Sequence, residues 1–203
     1  MGARSVLVLS LLCVWGAVRA DEDGPDPYKA PAFCGKLECP RYEVEQDFKS
    51  FELRVYEATQ WVSTPVNLNV FGTVKAFRRL FKYITGSNSE GLKINMTVPV
   101  LVYLPINNAS ANATMSFYLT PTLNPPKPLD PDVFLGNAGE TRVYVKSFGG
   151  YAFDYEYAKQ AKLLSEELLA HGIQFDDSAY VRAGYNDPFT FFNRHNEIWY
   201  LSK

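Results

Sequence analysis

The chain has 203 residues, 20 Lys or Arg against 22 Asp or Glu, and a net charge of −2 at pH 7. That faintly acidic balance argues against a nucleic-acid binder, which needs a basic excess to meet phosphates. The length fits one domain with a sizeable core, and 13 Tyr with 14 Phe point to a dense interior or an aromatic-lined pocket.

The first 20 residues have the form of a signal peptide. Arg4 supplies a positive start, residues 6–18 are almost wholly apolar, and Val18-Arg19-Ala20 offers a cut after Ala20. The apolar run is too short to span a bilayer comfortably, and no later stretch is long and apolar enough to do so. The expectation is a secreted, extracellular chain from Asp21 with no stable membrane insertion. Losing Arg4 and Arg19 shifts its charge from −2 to −4. Residues 21–38 form an N-terminal arm, acidic and Pro-rich over 21–32, and residues 39–203 form a single domain. Cys13 leaves with the leader. Cys34 and Cys39 remain as an even, close pair, which in an oxidising compartment reads as a disulfide. A metal site would need further ligands.

Residues 42–48 and 51–62 alternate like paired strands around a turn at Lys49-Ser50. An amphipathic helix follows. Val70, Val74, Phe77, Phe81 and Ile84 recur at helical spacing and share a face, with Leu80 at its margin. Lys75, Arg78, Arg79 and Lys82 project from the other side. Gly86, Ser87 and Asn88 stop the helix, and a strand is predicted over 96–104. An aromatic face bordered by cations suits a flat apolar ligand carrying carboxylates. It also suits an ordinary core helix with a solvated basic face.

Three glycosylation sequons follow the helix: Asn95-Met-Thr, Asn108-Ala-Ser and Asn112-Ala-Thr. The last two fall in a polar loop over 107–114. Asn95 opens a strand packed near the core, where a glycan would fit poorly. A strand over 116–120 leads to a surface linker over 122–132, whose Pro125, Pro126, Pro128 and Pro131 exclude helix and central strand. Glu52-Leu-Arg-Val-Tyr56 then recurs as Glu140-Thr-Arg-Val-Tyr144, each read as a strand followed by a helix, which suggests duplicated halves related by a pseudo-two-fold. The second helix is predicted over 155–171. Asp154 is its N-cap, Gly172 its stop, and Tyr157, Ala161, Leu164 and Leu168 its buried stripe. Strands over 179–185 and 197–202 close the chain.

No catalytic constellation stands out. GxSxG, HExxH and phosphate-binding glycine loops are absent from the sequence. The pairs Glu166-Glu167 and Asp176-Asp177 read as solvated faces or turns, and Glu156 as a solvated helix residue. A hydrolase using Glu156 and a nearby Tyr is the remote alternative, so the chain is read as a non-enzyme.

Two segments carry a family resemblance. Leu80-Phe-Lys-Tyr-Ile-x-Gly-x-Asn followed by Met96-Thr-Val-Pro-Val, and Ala183-Gly-Tyr-Asn-Asp-Pro-Phe followed by Arg194-x-Asn-Glu-Ile-Trp, resemble the SOUL/haem-binding-protein family. The resemblance runs from about Cys39 to Leu201. It implies an α+β fold, a distorted antiparallel β-barrel carrying two helices, and binding of haem or a related tetrapyrrole rather than catalysis. It places the pocket at the first helix, on Val74, Phe77, Phe81 and Lys82. Arg78 and Lys82 are then the candidates to meet propionates, Val74 standing where relatives carry a basic residue. Some members use a histidine in the N-terminal region, and this chain has none there. His171 reads as a helix-terminal cation, His195 as a surface or hydrogen-bonding residue, and Met96 and Met115 as core. The expected cofactor is therefore non-covalent haem or protoporphyrin, held without strong axial ligation. Two alternatives are a binder of another amphipathic small molecule and an extracellular interaction protein without a working haem pocket. The sequence is silent on oligomeric state.

Overall fold

The computed structural model describes residues 28–106 and 113–203. The leader, its cut after Ala20 and the sequons at Asn108 and Asn112 lie outside the described residues. A 3-10 turn at Ala32–Cys34 precedes β1 (Tyr42–Asp47), β2 (Glu52–Tyr56), β3 (Thr59–Val66) and helix α1 (Val70–Ile84). There follow β4 (Val100–Pro105), β5 (Ala113–Leu119), β6 (Phe134–Ala138), β7 (Thr141–Phe148), helix α2 (Asp154–Ala170), β8 (Ala179–Gly184) and β9 (Asn196–Leu201). All nine strands make one antiparallel sheet in the order β1-β2-β7-β9-β8-β4-β5-β3-β6, curled into a half-barrel. This is the α+β architecture with two helices that the sequence led us to expect.

Local chemistry explains the helix bounds. Asn69 caps α1 by accepting a hydrogen bond from the Gly72 amide at 2.7 Å. At the other end Gly86 turns the chain with φ +117°. Buried Asn88 then donates to the carbonyls of Tyr83 and Leu92 and accepts from the amides of Glu90 and Leu92. The Gly-x-Asn of the first motif is thus a helix stop that satisfies its own loose backbone groups. Gly172, at φ +69°, ends α2 as predicted.

Alternation along the strands shows where the core lies. On β9, Ile198 and Tyr200 pack under α2 with Leu164 and Leu168, while Trp199 between them packs on the opposite face. On β4, Val100 and Val102 join the cluster under α1, whereas Leu101 faces the other way. Both helices therefore share one face of the sheet. The N-terminal turn covers part of the other face, where Cys34 and Cys39 are buried with Tyr56, Val143, Tyr185 and Trp199. Cys34 and Cys39 form the expected disulfide, with a Cα–Cα separation of 6.2 Å.

Several expectations are corrected. Residues 51–62 are not one strand, because the chain turns between β2 and β3. β6 was not foreseen and pairs along β3. β4 starts at Val100, and Asn95 sits in exposed coil rather than at the head of a packed strand. Asp154 does not cap α2: it is the first helical residue, and its carboxylate takes a 2.6 Å bond from Arg182 instead. The duplicated halves are not established. β3 intervenes between β2 and α1, whereas β7 leads into α2 without an intervening strand, and the two similar segments pair with each other as β2 and β7.

Candidate functional site

The largest departure from the sequence reading concerns which face of α1 is buried. Ala76, Leu80, Tyr83 and Ile84 are the residues it seats in the core. Leu80, expected at the margin, is wholly buried, and the Tyr83 hydroxyl donates to the Pro126 carbonyl at 2.8 Å. The Val70, Val74, Phe77 and Phe81 stripe sits to one side of that face. Val74, Phe77 and Phe81 are between 36% and 45% exposed. Phe77 and Phe81 stack with centroids 6.0 Å apart, and Phe77 meets the buried ring of Phe117 on β5 edge-on at 5.1 Å.

Arg79 fixes the direction in which this stripe points. Its guanidinium reaches Thr64 of β3 at 3.0 Å and the carboxylates of Asp130 and Asp132 at 3.2 and 2.8 Å. At roughly 100° per residue the stripe lies about opposite Arg79 around the helix. It leans away from β3 and β6, over β5 and toward β4. α1 packs chiefly on β3 and β5, and α2 on β9. The strip of β4 and β8 between the helices is only part-covered, with Val100, Val102, Arg182 and Gly184 half-buried. Val100 and Val102 of β4 lie there opposite Gly184 and Arg182 of β8. Tyr157 of α2 forms the far side, with the Arg182 guanidinium 5.2 Å over its ring.

Arg78 and Lys82 are exposed on the solvent side of the stripe, and neither has an ion-pair partner among the described residues. Arg182 was not foreseen from the sequence. Its Nη1 bonds Asp154 and its Nη2 the Tyr180 hydroxyl, while its Nε is buried without a hydrogen-bond partner. A charged residue in the otherwise apolar strand run Ala179–Gly184 was the available signal. The arrangement offers an apolar wall, a half-apolar floor and three guanidinium or ammonium groups. Those are the donors that a flat, largely apolar dianion requires. Two cavities lie off the aromatic stripe itself. One, about 20 Å³, is water-sized and lies among Arg79, Lys82, Tyr83 and Asp130. The other, an open cleft of about 510 Å³ at the C-terminal end of α2, is lined by Leu169, Ile173 and Phe175 and shares none of the predicted residues.

The remaining candidates fall into structural roles. His171 closes α2 with its ring edge-on to Phe48 and Phe51 at 5.4 and 5.6 Å. His195 is held by a 2.7 Å bond to Glu197 and stacks on Phe33 at 3.9 Å. Met115 is buried and Met96 half-buried beneath α1. Glu156 is engaged by Gln160 at 2.9 Å on the surface of α2. Among the described residues no three His, Cys, Asp or Glu side chains gather as a metal site.

The closing motif makes a buried polar knot that the sequence reading missed. Glu197 is wholly buried and accepts from Arg54, Tyr185, His195 and Trp199 at 2.9, 2.9, 2.7 and 2.7 Å. Burial alone would raise its pKa, but the His195 bond and the Arg54 charge outweigh that and hold the carboxyl below its usual range. Burial, reinforced by the Glu197 charge, pushes the Tyr56 and Tyr185 hydroxyls well above theirs. Every donor is spent inside the fold, so the knot fixes the sheet and leaves no valence for a ligand.

Comparison with known proteins places this geometry. The curled sheet with two helices on one face is an α+β architecture shared with the EcmrR C-terminal domain (TM-score 0.55, 8% identity, covering 79% of this chain and 96% of that one). A Listeria innocua structure described as a hydrolase shares it too (TM-score 0.53, 10% identity, 78% and 94% covered). At such identities the likeness is one of fold alone. The chain belongs to the SOUL haem-binding-protein family, whose profile, described as SOUL heme-binding protein, matches residues 37–201. It is 34% identical to human heme-binding protein 2 over 191 residues, covering 88% of this chain and 93% of that one. It is 31% identical to heme-binding protein 1 of Xenopus tropicalis over 164 residues, covering 77% and 86%.

Proposed function

We propose that this protein is a secreted, non-enzymatic binder of haem or a related tetrapyrrole, acting as a carrier or scavenger, with the groove beside α1 as its site. One observation carries the reading: the Val74-Phe77-Phe81 stripe, its two rings stacked, stays part-exposed beside the buried face of α1, and Arg78 and Lys82, without ion-pair partners among the described residues, flank it. One face of a porphyrin buries several hundred Å² of apolar surface, which at roughly 25 cal/mol per Å² supplies several kcal/mol before ordering costs. Arg78 and Lys82 meet the propionates, and Arg182 beneath is a third candidate. With His171 and His195 engaged elsewhere, affinity rests on burial and charge rather than on the iron. The cofactor, when bound, contributes the flat conjugated face; the protein contributes shape, apolar cover and cations. Export would make the Cys34–Cys39 bond durable and expose Asn108 and Asn112 to glycosylation. Asn95, being exposed, joins them as an acceptor.

A Soret titration of the purified protein with haemin, and fluorescence titration with iron-free protoporphyrin IX, test the reading. Near one-to-one binding of both with similar affinity is expected. Haemin binding without porphyrin binding would put the iron in command and remove the burial argument. Binding of neither at micromolar concentration would reject the function and favour an extracellular interaction protein. Native mass spectrometry of protein from its own secretions would reveal another amphipathic ligand.

A further inference from the structure

Six large aromatic side chains crowd one end of the fold, outside the groove. Tyr151 and Phe153 lie in the connection from β7 to α2, and Tyr155 in the first turn of α2. Phe189, Phe191 and Phe192 lie in the connection from β8 to β9. All six are exposed, the three Phe of the second loop between 70% and 84%. Tyr151 and Phe191 meet edge-on at 6.4 Å, and Phe153 stacks with Tyr155 at 6.4 Å. Rings this bare stand on a convex tip and not in a groove.

The tip is held out by polar bonds beneath it. Asp187 accepts from the Phe189 amide and the Thr190 hydroxyl, both at 2.7 Å. Arg194 donates to the carbonyls of Asp187 and Thr190, also at 2.7 Å, and lies 4.4 Å over the Tyr151 ring. The Tyr151 hydroxyl reaches the Pro188 carbonyl at 3.3 Å, and Asn196 ties the two loops together through the Gly150 carbonyl at 2.9 Å. Collapse of the rings onto the domain would break these bonds. The nearby charges balance in sign and each is engaged: Asp154 with Arg182, Asp187 within its own turn, Arg194 with two carbonyls and a ring.

We infer that this aromatic tip docks the protein on the interface of a lipid bilayer, with the rings seated among zwitterionic headgroups. Rigid protein partners offer pockets to single anchors. A convex cluster of Phe and Tyr over a charge-neutral base instead matches a deformable phase that accepts apolar rings and wet hydroxyls at one depth. With no free cation at the tip among the described residues, docking needs no anionic lipid, so binding tolerates salt. The sheet register puts the tip at the end where β4 begins, since Val100 pairs with Gly184 and Gly184 with Asn196. α1 returns along β3 toward that same end. On the tetrapyrrole reading, docking would set the mouth of the groove against the lipid in which porphyrins dissolve. The docking itself does not depend on that reading.

The test is co-sedimentation of ligand-free protein, purified from eukaryotic cells, with phosphatidylcholine vesicles. Wild-type protein should bind, with little change between low and high salt. A Phe189→Ser/Phe191→Ser/Phe192→Ser variant should lose at least about tenfold in partitioning while keeping its circular dichroism spectrum and its haemin affinity. A Phe191→Trp variant should show a blue-shifted emission on adding vesicles. Equal binding by wild type and the triple variant overturns the inference, whichever other segment then causes the binding. So does binding that requires anionic lipid and vanishes in salt. Dimers in solution that the triple variant abolishes, without vesicle binding, would reassign the tip to a second copy of the chain. Failure of haemin to bind, with vesicle binding intact, rejects the groove and leaves the tip.

Discussion

The two helices lie on the same face of one sheet, yet they use their apolar residues differently. α2 seats Ala161, Leu164 and Leu168 of its predicted stripe in the core, with Tyr157 half-buried, and leaves Tyr155, Leu163 and Leu169 exposed at its start, middle and end. α1 seats Ala76, Leu80, Tyr83 and Ile84, and carries a second apolar stripe besides. A helix needs only one such stripe to dock. The surplus on α1 is only partly used against the sheet, where Phe77 meets Phe117, so it is where ligand binding is sought. The working rule is that the stripe of α2 supports stability and the outer stripe of α1 supports affinity.

The sharpest way to break that rule is Leu164→Ala. It should lower unfolding free energy by about 2–5 kcal/mol, read by urea titration, with haemin affinity of the folded fraction unchanged. Phe81→Asp should do the reverse. Haemin affinity should fall by at least about 1.4 kcal/mol, a factor of ten, while stability changes by less than about 1 kcal/mol. If Phe81→Asp unfolds the protein instead, the outer stripe is core after all. Arg78→Ala combined with Lys82→Ala should weaken binding by about 1–3 kcal/mol. A porphyrin diester should not register that change, because it carries no anionic propionate. His171→Ala should leave affinity where it was.

A pH titration separates the helical face from the polar knot on the other side. Tyr56 and Tyr185 titrate higher in the fold than in the unfolded chain. Their contribution is complete below pH 10 and declines as the pH rises above it, because the unfolded chain then releases the proton more readily. Stability should hold up to about pH 10 and fall beyond it, by less in Tyr185→Phe than in the wild type. A wild-type protein equally stable on both sides of that pH would refute the assignment. At the acid end Glu197 works in the opposite sense. Its contribution is present above the ordinary carboxylate range and is lost as the pH falls through its depressed folded value.

Periodicity found both helices nearly to the residue but chose the wrong face of α1. Val and Phe outweigh Ala76 and Tyr83 in any hydrophobic count, so the strongest repeat marked the solvent-facing stripe. A part-exposed apolar stripe and a core look alike at that level. β6 was missed because Phe134-Leu-Gly-Asn-Ala138 does not alternate and follows a Pro-rich linker. It is a strand because β3 offers it an edge. Glu197 at the head of the apolar run Ile198 to Leu201, and Arg54 inside Leu53-Arg-Val55, were legible signs of a buried pair, but 143 residues separate the partners. The aromatic tip was legible only as composition, since two loops had to meet before its six rings became one surface.

The place of β9 also bears on how the protein is made. It is the last strand in chain order, yet it stands inside the sheet between β7 and β8 and delivers Glu197 to Arg54. During synthesis β1, β2 and β7 on one side, and β8, β4, β5, β3 and β6 on the other, remain separate blocks until residue 201 has emerged. Cotranslational enzymes therefore meet an open chain. A stop codon shortly before Asn196 would yield two half-sheets with bare edges instead of a slightly shortened protein.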